Sequence, residues 1–207
     1  MITFQSQHVS LRAIIGVGSF LLSVIALQIT RQTSGYPTHT RVHSWPRLLI
    51  TQFRRDINKS GSLRYGWVII GLWSISVSGL HFGGLYYDIY TTVSWWDLLT
   101  HSLSGFGVAA VLGLTFRSST TTIPYWVIPA VLAIGSGFEV YEFVFKTFWY
   151  DWTFRFYLID TVVDLVVNTA GAATFVIAVG FLRETSMLQD STDDASVTPE
   201  LSSRRDS

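Results

Sequence analysis

Long apolar runs, each broken at helical spacing by acids, histidine or asparagine, dominate this chain. Five of them, residues 13–30, 66–86, 98–116, 123–145 and 160–182, have roughly the 17 to 25 residues that a helix needs to cross about 30 Å of hydrocarbon. Aromatic residues crowd their ends: Tyr65 and Trp67, then Tyr86, Tyr87, Trp95 and Trp96, then Trp149, Tyr150 and Trp152. Amphipathic rings favour the level of the lipid headgroups. The pattern predicts an all-α, polytopic integral membrane protein, a compact bundle of five transmembrane helices.

The polar segments set the expected topology. Arg31, Arg41, Arg47, Arg54, Arg55, Lys59 and Arg64 face a single acid, Asp56, between the first two runs. An excess of Lys and Arg marks a cytoplasmic loop, so the N-terminus is expected outside. The implied organisation is an external segment 1–12, a first transmembrane helix 13–30, a basic cytoplasmic loop 31–65, a four-helix membrane domain 66–182 that carries the polar site, and a disordered cytoplasmic tail 183–207. Arg117, Arg183, Arg204 and Arg205 fit the alternation, as does segment 88–96, which has no Lys or Arg; Lys146 and Arg155 dissent. A multi-pass protein of the plasma membrane is expected. The rival reading of the first run is a cleaved signal peptide, but that would export the basic loop, and no small-x-small cleavage site follows Leu27. Within the loop, Trp45-Pro46 followed by Leu49, Phe53 and Ile57 suits a short helix on the inner leaflet, with a solvated basic linker as the alternative.

Composition narrows the class. At 49% hydrophobic and 14% charged residues, the 207-residue chain has too little polar surface for a water-soluble domain of its size. Nucleic-acid binding is not expected, because acids and bases cancel and no basic face stands out. With no cysteine, any bound metal must be held by oxygen and imidazole.

The chemistry sits inside the last three runs. Asp97 and His101 stand at i, i+4; Glu139 and Glu142 at i, i+3; Asp160, Asp164 and Asn168 at i, i+4, i+8, so each set shares one helical face. A charged side chain at the bilayer centre costs roughly 2.5 to 3.5 kcal/mol on insertion scales, so such residues face other helices, where they pair or bind protons and ions. Counted at 1.5 Å per residue from the expected outer ends, His101, Glu139, Glu142 and Asp164 lie about 5, 9, 5 and 6 Å deep and share one leaflet. Gly105, Gly107, Gly135, Gly137 and Gly171 flank these faces and would let the backbones approach. Five carboxylates in one poorly hydrated place need protons or cations among them. The expected ligands of a divalent metal are Asp97, His101, Asp160 and Asp164, with Glu139 or Glu142 as catalytic general base and Asn168 in support. The donors suit Mg, Mn, Ca, Zn or non-haem Fe. Blander readings stand beside these: Asp97 and Asp160 as helix N-caps, Glu139 and Asp164 in structural interhelical hydrogen bonds, His81 as a satisfied bundle histidine, and Arg155 and Lys146 as solvated cations.

The patterns Asp97-x3-His101, Glu139-x2-Glu142 and Asp160-x3-Asp164-x3-Asn168-x2-Gly171-Ala172 resemble those of the YjdF-like family of small membrane proteins. More distantly they resemble VanZ-like proteins, through Asp97/His101, Glu139 and Asp164/Asn168/Gly171; Glu142 stands where that family has Gln, and Arg155 lies further from Asp164 than the usual arginine. The resemblance covers residues 66 to 182 and implies a helical membrane domain with a polar site. Three functions compete: a metal-assisted hydrolase or transferase acting on an amphiphilic or lipid-linked substrate, a carrier or channel for protons or cations, and a non-catalytic accessory protein whose basic loop docks a partner or anionic lipid.

Overall fold

Helix α1 (Ile2–Gln32) is followed by a single 3-10 turn and α2 (Trp45–Ile57), then α3 (Ser62–Tyr86), the one-turn α4 (Ile89–Thr92), α5 (Trp96–Thr115), α6 (Val127–Phe145) and α7 (Phe154–Ser202). This computed structural model describes the backbone of residues 2–38, 40–117, 124–145 and 151–202, and side chains between residues 11 and 185 of those stretches. Lys146, Trp149, Tyr150, Arg204 and Arg205 lie outside the described residues. Among the described residues there is no strand, and five helices are long and apolar enough to cross a membrane: Leu11–Gln32, Ser62–Tyr86, Trp96–Thr115, Val127–Phe145 and Phe154–Thr185. The expected bundle of five membrane helices is what the chain forms.

The helix ends differ from the sequence reading in instructive places. Helix α1 begins at Ile2, so its backbone runs through the segment expected to precede the first span. Helix α7 starts at Phe154, where Thr153 Oγ1 accepts the amide of Phe156 at 3.2 Å as an N-cap. Asp160 therefore lies inside the helix and caps nothing. At its other end α7 continues to Ser202. Propagation from a packed stem adds one hydrogen bond per residue, and no Gly or Pro stands between Gly180 and Pro199 to interrupt it.

The parallel pair α5 with α7 and the antiparallel pair α1 with α6 make the most extensive contacts, and α6 against α7 joins them. The α5–α7 crossing depends on missing side chains. A Cβ on Gly105 would overlap the Asn168 carbonyl, and one on Gly171 would overlap the Ser102 carbonyl and stand 2.9 Å from the Phe106 amide nitrogen. Backbone meets backbone there, as small residues permit. Gly135 makes room for the Asn168 side-chain amide, Gly107 faces Trp73, and Gly137 points toward Ser23 of α1, away from the other glycines. Helix α3 is peripheral, with only Trp67 and Gly84 buried, and the Trp73 indole N–H donates to the Leu103 carbonyl at 3.0 Å.

Helix α2 is docked to the bundle and is no solvated linker. Its first residue, Trp45, is 7% exposed and joins an aromatic knot in which the Trp126 ring lies 5.7 Å from Tyr36, 5.9 Å from Trp45 and 5.6 Å from Phe116. Near its end, Asp56 is fully buried and receives both Arg117 guanidinium nitrogens, at 2.8 and 2.9 Å, and the Trp67 indole N–H at 3.1 Å. The Arg117 hydrogen bonds hold the Asp56 carboxyl down at about 2; burial opposes them, and Trp67 and the charges of Arg117 and Arg55 assist. One bidentate pair thus ties α2 to the far end of α5. At the opposite end of the molecule, buried Arg12 of α1 donates to the Trp152 carbonyl beside Tyr157, Ile15 and Phe143.

Candidate functional site

Near the N-terminal end of α5, opposite the α2 end, three side chains from two helices come within metal-binding reach. One donor atom each of Asp97, His101 and Asp164 lies within 4.8 Å of the others. His101 Nε2 stands 3.5 Å from Asp97 Oδ1 and 3.7 Å from Asp164 Oδ2. Those separations exceed a normal hydrogen bond. They match the edge of a coordination polyhedron: ligands at about 2.1 Å from a tetrahedral ion are about 3.4 Å apart, and adjacent ligands at about 2.4 Å from an octahedral one are equally spaced. Asp164 is 4% exposed, whereas Asp97 and His101 are partly open.

The local sequence explains the convergence. Asp97 is the second residue of α5, and its carboxylate suits the helix dipole. It bonds no N-terminal amide as a cap, and it meets His101 one turn on. Asp164 lies on the same face of α7 as Asn168, whose position is fixed by the close approach at Gly105 and Gly135. The glycines that draw α5 and α7 together also bring His101 to Asp164.

Around this triad stand the remaining expected residues. Glu139 of α6 is 3% exposed, Thr161 of α7 faces it, and Glu142, Asp160 and Asp97 act on it electrostatically. Asp164 in turn feels Asp97, Asp160, Glu139 and Glu142. Asp160 and Glu142 are half-buried; neither belongs to the group of three whose donor atoms lie within metal reach. Ser136 Oγ, one turn before Glu139, and Asn168 Oδ1, one turn after Asp164, are buried and have no hydrogen-bond partner among the described residues. Arg155, in the first turn of α7, is exposed.

Sequence reasoning missed Tyr90. A left-handed turn at Asp88 (φ 54°) ends the α3 excursion, and α4 then sets the Tyr90 hydroxyl 2.7 Å from His81 Nδ1 and 3.4 Å from Thr100 Oγ1. His81 is thus a satisfied histidine, and it acts electrostatically on His101. Burial raises the Tyr90 hydroxyl above its ordinary value, the Thr100 hydrogen bond opposes it, and Asp97, Glu142 and Asp164 add to the rise, so the phenol stays protonated beside His81. No periodicity marks a tyrosine in a short connection, so no signal in the chain could have found it.

The fold and this cluster define a five-helix integral membrane protein with a carboxylate and histidine site among its helices. The chain belongs to the family described as "Predicted membrane protein (DUF2238)", whose model matches residues 16–185. This is the YjdF-like family that the three motifs resemble; the VanZ-like resemblance finds no support. No curated protein and no solved structure matches the chain.

Proposed function

We propose that this protein is a metal-dependent membrane enzyme, a hydrolase or transferase acting on an amphiphilic or lipid-linked substrate. The observation that carries the reading is the triad, in which an imidazole and two carboxylates are spaced as ligands and not as hydrogen-bond partners. A divalent ion on Asp97, Asp164 and neutral His101 leaves ion and ligands with no net charge, which suits a site away from water. The mixed donor set favours Zn, Mn or Fe over Mg or Ca. When bound, the metal would polarise a substrate oxygen or activate water. Asp160, one turn before Asp164 and outside the group of three, is a neighbouring acid of the site, Glu139 acts as general base with Glu142 beside it, and Asn168 supports Asp164.

The orientation is part of the proposal. The seven basic residues between Arg31 and Arg64 lie at the α2 end, opposite the triad, so the positive-inside rule puts the site toward the outer face of the plasma membrane, with the N-terminus outside and the C-terminus in the cytoplasm. A site just beneath the headgroups meets a lipid-linked substrate without drawing it across the bilayer.

Metal analysis of detergent-purified protein tests the reading. One equivalent of a divalent transition metal is expected in the native chain, less than about a tenth of that in Asp164→Asn and His101→Ala, and unchanged content in Glu139→Gln, since loss of a ligand typically costs more than the 10- to 100-fold seen for outer partners. No metal in the native chain, together with pH-dependent ion flux in liposomes, would replace the enzyme with a carrier.

A further inference from the structure

A groove of about 520 Å³ runs between α2, α3 and α5, on the α2 side of the triad, and falls within the range of about 300 to 1,000 Å³ usual for ligand pockets. Its walls are apolar: Pro46, Leu49 and Ile50 from α2, Val77 from α3, and Val108 and Val111 from α5. Along α5 it extends from Leu103 to Thr115, about 18 Å of helix, close to the roughly 15 Å thickness of one leaflet's hydrocarbon. It therefore lies in the leaflet that α2 borders, with its mouth at α2 and its deep end near the midplane. Arg47 and Arg54 flank Ile50 one turn to either side, on the same stretch of helix surface. Both are exposed, and neither makes an ion pair among the described residues, whereas Arg55 and Arg117 are engaged with Asp56.

We propose that this groove is a binding site for an anionic phospholipid of that leaflet, with one acyl chain seated between α2, α3 and α5 and the headgroup phosphate held by Arg47 and Arg54. The length of the groove selects a chain that starts at α2, and the two exposed arginines next to Ile50 on the α2 surface beside it select a negative headgroup. Phosphate accepts paired N–H donors from arginine, which adds geometric preference to charge. Docking of α2 through Asp56 and Trp45 holds the helix that carries both arginines against the bundle. The site does not depend on the metal reading, and its failure would leave that reading untouched.

The test reconstitutes the full chain in vesicles of equal dioleoyl-phosphatidylglycerol and dioleoyl-phosphatidylcholine, extracts it in neutral detergent and counts the lipids that remain bound by mass spectrometry. Two arginines near the surface should enrich phosphatidylglycerol on the order of 20-fold. Arg47→Gln with Arg54→Gln, both exposed and away from the core, should bring the ratio close to one. Ser78→Trp, which fills the groove from an exposed position on α3, should remove the bound lipid while the thermal unfolding of the chain in plain detergent stays unchanged. Equal retention of both lipids by the native chain would overturn the proposal, as would undiminished enrichment in the double variant or full occupancy in Ser78→Trp.

Discussion

Gly171→Leu is expected to abolish the folded bundle. A Cβ at that position would overlap the Ser102 carbonyl oxygen of α5, and the Phe106 amide nitrogen is 2.9 Å away. Backbone atoms have no rotamer to retreat into, so the helices themselves must separate. Overpacking typically costs about 1 to 3 kcal/mol where side chains can adjust; a rigid crossing belongs at or above the top of that range. The same displacement pulls Asp164 from His101, so metal content should fall along with stability. Gly79→Leu is the control, because a Cβ on Gly79 meets nothing within 4 Å. Size-exclusion profiles and thermal unfolding in detergent should show the Gly171 variant aggregated or unfolded and the Gly79 variant native. A monodisperse Gly171→Leu protein with native melting would mean that α5 and α7 do not cross as described.

Breaking the buried Asp56–Arg117 pair from one side should be nearly as damaging. Arg117→Ala leaves a fully buried carboxylate with only the Trp67 and Gln52 side-chain N–H groups, and Arg55 3.6 Å away, for compensation. Removing one partner of a buried pair costs about 3 to 5 kcal/mol, whereas replacing both with apolar residues is often close to neutral. Asp56→Leu combined with Arg117→Leu should therefore recover most of the stability lost in Arg117→Ala. Because the folded carboxyl sits at about 2, below the ordinary 3.8, it is a group whose depressed value adds stability above pH 4. That contribution should be constant from pH 5 to 8 and fall away as pH drops from about 4 toward 2. A melting temperature in Arg117→Ala equal to the native one would show that the pair does not hold α2.

Much of this architecture was written in the hydrophobic pattern, since length and apolarity alone decide which segments can cross a bilayer. The ends were less legible, because a hydropathy window stops at the first polar residues while the helix continues to its cap. Thr153 ends the matter for α7, and with it the idea that Asp160 is a cap. The i, i+4 spacing of Asp97 and His101 could be read directly, and their meeting with Asp164 followed from shared faces and the small residues between them. Spacing could not tell Asp160 from Asp164, because both lie on one face and only the crossing at Gly105 and Gly171 decides which carboxylate reaches His101. Asp56 looked like one acid in a basic loop. Its partners Trp67 and Arg117 are 11 and 61 residues away, and no local pattern links them.

In the proposed function, an imidazole and two carboxylates from α5 and α7 hold one divalent ion among the membrane helices. The most direct test is the X-ray absorption spectrum of the purified chain loaded with one equivalent of zinc. A single imidazole and at least two oxygen donors at about 2.0 to 2.2 Å are expected, with the imidazole signature lost in His101→Ala. A spectrum of oxygen donors alone, identical in native chain and variant, would contradict it.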